Sequence, residues 1–312
     1  MTDLNDVEET DDAGELAELL TESVDPRYAD LDTLSVPALA QLMNEADRTV
    51  PEAVRAALPQ IVPAIEAIAE RMAAGGRLLY VGAGTPGRLG VLDASECPPT
   101  FNTAPGQVSA IIAGGTEALL TAIEGVEDDA SAGVAAVDEV GIGPHDSVVG
   151  IAASGRTPYV IGAVTRARER GALTVGLSCH AGARLSTAAQ LPIEVIVGPE
   201  VVSGSTRLKS GTAQKLVLNM ISTITMVRLG KTYGNLMIDV RATNHKLRER
   251  AQRIVQHITG ATREDVSAAL DASDNDIRVA ALMLARTESA DAASARLRRA
   301  GGNLRTALET SS

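Results

Sequence analysis

The sequence predicts an α/β fold: a five-stranded parallel sheet with helices on both faces, followed by a small helical region. Two observations carry that prediction. Short apolar runs of strand length recur at 77–82, 107–112, 147–151, 172–177 and 193–197, and helical stretches near 86–94, 116–123, 128–139 and 156–169 separate them. Strands joined by helical crossovers lie parallel, with helices covering the sheet. Each strand also runs into a loop of small residues, in turn GAGTPG, AGGTE, ASGRT, SCHAGA and GPEVVSGST. Ligands of such sheets bind beyond the carboxyl ends of the strands, so a site fed by several of these loops is the architectural expectation.

The remaining elements follow from local signals. Residues 1–17 carry Asp3, Asp6, Glu8, Glu9, Asp11, Asp12 and Glu15 with few large apolar groups, the composition of a disordered acidic tail. Pro37 to Glu45 reads as a short helix. Thr49-Val50-Pro51-Glu52 supplies a cap, a first-turn proline and a glutamate three residues on, and so predicts a helix start. Behind it Val54, Leu58, Ile61, Val62, Ile65 and Ile68 recur at helical spacing; Pro59 and Pro63 predict a break near 58–60, and Gly75 and Gly76 a stop. Residues 209–229, closed by Gly230, and 243–258 form two long helices. Beyond Gly260, Thr262 with Asp265 caps a helix through Leu270, and 274–286 and 291–299 complete a small three-helix bundle. The expected organisation is a tail at 1–17, an α/β domain with N-terminal helices at 18–258, and a helical domain at 259–312.

Composition narrows the function. At 312 residues the chain can bury a full core. A net charge of −12, one Phe and no Trp disfavour a nucleic-acid partner. Two cysteines, Cys97 and Cys179, make no disulfide framework, and with no signal-peptide pattern the cytoplasm is the expected location. No apolar run reaches membrane length; Leu216 to Leu229 carries Asn219 and ends at Arg228, and reads as a buried helix. His145, His180, His245 and His257 have no metal-site spacing, so no metal or other cofactor is expected.

Residues 78–101, LLYVGAGTPGRLGVLDASECPPTF, concentrate the chemistry. Gly82-x-Gly84-x-x-Gly87 follows a strand and opens a helix, as in the dinucleotide fingerprint. That fingerprint also wants an acid closing the next strand, and here the strand ends Ile111-Ile112-Ala113-Gly114-Gly115. Phosphate binding needs only backbone N–H groups and a helix start, which the loop Gly84-Thr85-Pro86-Gly87-Arg88 supplies. Ser154-Gly155-Arg156-Thr157 offers hydroxyls, a glycine and a guanidinium at a second strand end, although Ser154 could simply cap its helix. Ser203-Gly204-Ser205-Thr206 with Lys209 is a third such turn. Glu96, beside Cys97, Pro98, Pro99 and Phe101, is expected in an apolar setting that raises its pKa into the acid–base range. Glu124, Glu127 and Asp128, in EGVEDD, are acids past the second strand, either functional or a solvated helix start.

Together LLYVGAGTPGRLGVLDASECPPTF, IIAGGTEAL, EGVEDD, VVGIAASGRTPYVIG, VGPEVVSGSTRLKSGTAQKLVLNM and GNLMIDVRATNHKL resemble the N-acetylmuramic acid 6-phosphate etherases of the sugar isomerase (SIS) superfamily. The resemblance covers residues from about 32 to 258, and the C-terminal region is similar to that family's small helical domain. It implies a SIS domain and a metal-free homodimeric lyase. Such an enzyme releases D-lactate from C3 of the sugar, leaving N-acetylglucosamine 6-phosphate, in the recycling or catabolism of cell-wall amino sugars. It also implies that Glu96 and Glu127 are the acid–base pair. One departure stands out: the family's first loop reads Gly-Thr-Ser-Gly-Arg, and here Pro86 replaces the serine, removing a hydroxyl and an N–H. The vertebrate glucokinase regulator is a relative that is not an enzyme. An aldose–ketose isomerase and a non-catalytic sugar-phosphate sensor are therefore the alternatives.

Overall fold

A computed structural model describes residues 23–239 and 245–310. The acidic segment 1–17 and residues 240–244 of the GNLMIDVRATNHKL stretch lie outside the described residues. The chain divides into two compact units, one of residues 1–64, 79–91 and 110–219, the other of 65–78, 92–109 and 220–312.

The sheet contains β1 (Leu78–Gly82), β2 (Val108–Ile112), β3 (Ser147–Ile151), β4 (Leu173–Ser178) and β5 (Leu191–Glu194), in the order β2-β1-β3-β4-β5. Val148 and Val149 pair in parallel with Thr174 and Val175, and Leu177 with Ile193. Every residue of β1, β3 and β4 is buried, as strands covered by helices on both faces require. In the first unit, Leu79, Val81, Val148, Val160, Val164 and Leu185 share one core cluster. The fifth strand lies earlier than the expected 193–197. Ser178, the last residue of β4, pairs with Glu194, so β5 ends where its partner does; Val195 adds one further bond to the Ser178 carbonyl at 2.9 Å.

Helices α1 (Val36–Asp47), α2 (Val50–Ala56) and α3 (Leu58–Ala73) precede the sheet. The expected break falls at Ala57, and Pro59 enters the first turn of α3, where its missing N–H costs nothing. Thr49 does not cap α2. Its backbone is still helical (φ −77°, ψ −21°), which turns its hydroxyl back to donate to the Ala46 carbonyl at 2.7 Å. Helix α4 (Gly84–Phe101) is longer than the expected 86–94 and runs through Pro98 and Pro99. The two prolines withhold the N–H groups that would bond the Ala94 and Ser95 carbonyls, so the last turn is helical without those two bonds. Asn102 then closes it in the left-handed region (φ 51°), its N–H donating to the Pro98 carbonyl at 2.9 Å. The stretch expected to be helical at 116–123 is a single 3₁₀ turn, Gly115–Leu119. Helices α5 (Ala130–Val140) and α6 (Pro158–Glu169) cross at backbone contact: a Cβ at Gly133 would overlap the Tyr159 carbonyl, and one at Gly162 the Ala130 carbonyl. A short helix α7 (Arg184–Ala188) follows β4, and α8 (Lys209–Arg228) follows β5.

In the second unit, Gly75 (φ 93°) ends α3 and the Gly76 N–H bonds the Arg71 carbonyl at 2.9 Å, the double-bonded glycine stop that the sequence predicts. After α8 comes a two-stranded hairpin of β6 (Thr232–Tyr233) and β7 (Leu236–Met237), then α9 (His245–Thr259), α10 (Arg263–Ala272), α11 (Ile277–Arg286), α12 (Ala290–Arg299) and α13 (Leu304–Glu309). Thr262 caps α10 through the Asp265 N–H at 3.2 Å, as expected. Helix α11 begins at Ile277 rather than 274, because Asp274 and Asn275 are left-handed (φ 53° and 61°) and Asp276 takes the cap. The three expected helices α10, α11 and α12 share a core with α9 and α13 around Val255, Val266, Ala280, Leu282 and Ala293. The bundle is thus larger than three helices. Asp239, 4% exposed, accepts from Asn102 Nδ2 (3.0 Å), Lys231 Nζ (2.6 Å) and Arg278 Nη1 (3.0 Å). No helix among the described residues is long and apolar enough to cross a membrane.

Candidate active site

The first unit builds its candidate site at the carboxyl ends of the strands. At the end of β1 the chain doubles back so tightly that a Cβ on Gly82 would lie 2.6 Å from the Gly87 nitrogen. Only glycine at both positions lets the backbone close on itself. Helix α4 therefore starts directly off the strand. The amides of its first turn have no helical acceptor, and they lie at the positive end of the helix dipole. Gly84 (φ 54°) is exposed, and Thr85 and Arg88 are half-buried. Arg88 Nη2 donates to the Thr121 carbonyl at 3.1 Å, which ties this loop to the segment after β2.

At the end of β3, Gly155 is left-handed (φ 67°), and a Cβ there would overlap that of Ala183. Ser154 Oγ accepts from the Arg156 N–H at 3.3 Å and does not cap the helix. The cap position belongs to Thr157, whose hydroxyl makes no capping bond before Pro158 opens α6. Glu127 lies in the exposed loop before α5. Its carbonyl accepts from the Tyr159 N–H at 3.0 Å, so the EGVEDD segment is fastened beside the Ser154–Thr157 loop. The Glu127 side chain itself is exposed.

The third turn lies before α8. A Cβ on Gly211 would sit 3.5 Å from Thr85 Cγ2 and 3.5 Å from the Thr206 carbonyl, so the Ser203–Thr206 turn and the Gly84–Arg88 loop are neighbours. Ser203 is exposed, its hydroxyl 3.5 Å from the Ser23 carbonyl, and Ser205 is half-buried. Lys209 is placed differently from its companions. It is 3% exposed, its Nζ donates to the Val197 carbonyl at 2.7 Å, and it faces a cavity that none of the other expected phosphate ligands lines. Burial lowers its pKa, against the opposing pull of Glu200.

Glu200 is the residue that sequence reasoning missed. At 1% exposure it accepts from the Lys209 N–H (2.9 Å), the Ser210 N–H (2.9 Å) and the Ser210 hydroxyl (2.8 Å), and so neutralises the start of α8. An acid just before a hydroxyl-rich turn that opens a long helix is the signal that could have found it.

Glu96 belongs to the second unit. Its expected burial is not found, because the side chain is exposed. The inward face of this part of α4 is Asp93, 7% exposed and accepting from Ser222 Oγ at 3.1 Å, with Cys97, 2% exposed. Leu92 and Glu96, one turn apart, lie on the outward face, and Leu92 is 54% exposed. Among the described residues no group of three or more His, Cys, Asp or Glu side chains could hold a metal ion.

Within the first unit the candidate site is therefore three glycine- and hydroxyl-bearing loops at strand ends, with Glu127 exposed in the segment fastened beside the second of them. Residues 60–168 match the family model of the glucokinase regulatory protein N-terminal SIS domain. Proteins described as N-acetylmuramic acid 6-phosphate etherase are similar over nearly the whole length. The Streptomyces coelicolor protein is 56% identical over 294 residues, 94% of each chain. The Rubrobacter xylanophilus protein is 57% identical over 293 residues, 94% of this chain and 97% of that one. The Mycolicibacterium smegmatis protein is 53% identical over 294 residues, 94% and 99% of the respective chains. Among solved structures, a phosphoheptose isomerase from Francisella tularensis aligns with a TM-score of 0.49 and 18% identity over 62% of this chain and 99% of that one. On that near-full-length identity, the chain belongs to the N-acetylmuramic acid 6-phosphate etherase family.

Proposed function

We propose that this chain is a carbon–oxygen lyase that cleaves the D-lactyl ether of N-acetylmuramic acid 6-phosphate, giving N-acetylglucosamine 6-phosphate and D-lactate. The observation that carries the reading is identity above 50% across 94% of this chain and 94–99% of relatives of that name. The loops at the strand ends support it, because they offer the amides and hydroxyls that a phosphate needs. We assign the phosphate to Gly84, Thr85, Gly87 and Arg88, with Ser154, Gly155, Arg156, Thr157, Ser203 and Ser205 around the sugar. The phosphate does no chemistry; it anchors the substrate so that C2 and C3 are positioned.

With the sugar ring open, C1 is an aldehyde and the C2 proton is acidic. A carboxylate removes that proton, the electron pair moves into a C2–C3 double bond, and the lactate oxygen leaves C3 with a proton from a carboxylic acid. Water then adds across the double bond. Glu96 and Glu127 are the proposed pair for these transfers. The reaction needs a desolvated acid, and Glu96 is exposed in the single chain. We therefore propose that a homodimer covers it. Leu92 (54% exposed), Ile224 (38%) and Val227 (45%) are apolar groups of the same unit that such an interface would bury. A cytoplasmic location and a role in recycling cell-wall amino sugars complete the reading.

The test is a lactate assay on muramic acid 6-phosphate and its N-acetylated form. Glu96→Gln abolishes release and Glu127→Gln slows it, with both variants folded by circular dichroism. Turnover in deuterated water places deuterium at C2 of the product. Interconversion of hexose phosphates without lactate would reassign the chain as an isomerase, and binding without turnover as a sensor.

A further inference from the structure

A cavity of about 370 Å³ opens in the first unit, between the 3₁₀ helix Pro26–Tyr28, helix α1 and the turn after β5. Its polar lining is Arg27, Tyr28, Glu45, Thr49 and Lys209, of which only Lys209 was among the expected phosphate ligands. Leu42, Val197 and Pro199 supply apolar wall. The volume lies within the range of small-molecule sites and exceeds what a lone inorganic anion fills.

Two cations from distant parts of the chain converge there. Asp25 holds the Arg27 guanidinium through Nε (2.9 Å) and Nη2 (2.6 Å), which orients it and leaves Nη1 without a partner on that carboxylate. Lys209 comes from the opposite wall, 3% exposed, its Nζ making one hydrogen bond among the described residues, to the Val197 carbonyl at 2.7 Å. An ammonium carries three donors. Burying it with one acceptor is costly unless an anion completes the shell. Burial lowers the Lys209 pKa and the Arg27 charge acts in the same sense, while the Glu200, Asp25 and Asp47 charges oppose both. Glu45, Thr49 and Tyr28 offer an acceptor and two hydroxyls, the groups that recognise the hydroxyls of a sugar rather than a bare ion.

We propose that this cavity is a second ligand site that takes a phosphorylated sugar, its phosphate held between Arg27 and Lys209 and its hydroxyls by Glu45, Thr49 and Tyr28. None of the residues assigned above to the etherase phosphate and sugar lines this cavity, so the proposal stands whether or not lactate is released.

The experiment is calorimetric titration of the full-length chain with glucose 6-phosphate, with inorganic phosphate and glucose as comparison probes. Wild type shows a glucose 6-phosphate site that Arg27→Glu weakens by about 10-fold to 100-fold, the loss expected for a charge-assisted phosphate contact. Glu96→Gln leaves that site intact. Glu45→Ala weakens glucose 6-phosphate but not inorganic phosphate. Lactate release by Arg27→Glu at saturating substrate stays at the wild-type rate. Arg27 and Glu45 are exposed, so both variants fold. Superimposable isotherms for wild type and Arg27→Glu, or glucose bound as tightly as glucose 6-phosphate, would overturn the proposal.

Discussion

Glu200→Gln isolates what a single buried carboxyl does for the candidate site. Its Oε1 accepts from the Ser210 N–H and hydroxyl, and its Oε2 from the Lys209 N–H. Glutamine has the same shape but only one acceptor oxygen. With that oxygen in the Oε1 position, the Lys209 N–H faces an NH2 group and is left unpaired in a site 1% exposed. An unsatisfied buried donor costs about 1–3 kcal/mol. Removing the charge from the positive end of a 20-residue helix costs about 0.3–2 kcal/mol more. The sum is about 1.3–5 kcal/mol of local stability. The chain has two units, so a single global unfolding energy is a poor readout. Native-state hydrogen exchange at the Lys209 and Ser210 amides reads the local opening directly. At about 1.4 kcal/mol per factor of ten, both amides should exchange roughly 10-fold to several thousand-fold faster in the variant. Rates within about threefold of wild type would refute the reasoning, because the cap would then be energetically idle.

Four further outcomes are expected. Gly162→Ala forces a methyl into the Ala130 carbonyl and should destabilise the first unit by about 3 kcal/mol or more, measured as loss of exchange protection in α5 and α6. Asp239→Ala leaves Lys231 and Arg278 without their shared acceptor; their side chains are 20% and 19% exposed, so the cost is about 2–3 kcal/mol rather than the full value for a buried pair, read as lost exchange protection in α11. Burial, with the Asp93 and Glu96 charges, pushes the Cys97 thiol up to about 12, and burial pushes Cys179 to about 12. A thiol reagent at mildly alkaline pH should therefore label neither cysteine until the protein is denatured. Hydrogen bonds from Arg166 and Arg170 hold the Asp138 carboxyl below its ordinary 3.8. A depressed folded value means stability present near neutral pH and lost as pH falls through that value. The thermal midpoints of wild type and Asp138→Asn should therefore differ near neutrality and converge below pH 3.8.

The sheet was legible because β1, β3 and β4 are buried on both faces, which forces continuous apolar runs onto the sequence. The end of β5 was not, because the apolar run IEVIV continues past the point where β4 stops offering partners. The length of α4 was hidden by Pro98 and Pro99, which read as a stop, although the helix runs through them and closes only at Asn102. Glycine stops and the Thr262 cap were readable because each depends on three or four consecutive residues. The strand-end loops were legible for the same reason. What a linear reading could not supply was direction. Glu96 has apolar sequence neighbours, yet Asp93 and Cys97 take the inward face of the helix and leave it outside. Lys209 follows a hydroxyl-rich turn, yet the turn aims it under Val197.

Pro86 is the third residue of α4, at a position where a backbone N–H has no carbonyl to bond. The helix loses nothing by it, and the fixed φ sets the turn before any ligand arrives. A phosphate loses two donors. In the proposed reaction, substrate and product carry that phosphate alike, so the lost contacts weaken both equally. With the phosphate seated as proposed, the expected consequence is kinetic: product leaves sooner than from a loop with serine there, and more sugar phosphate is needed to saturate the site. On that reading the proline suits the loop to flux rather than to scavenging at low concentration.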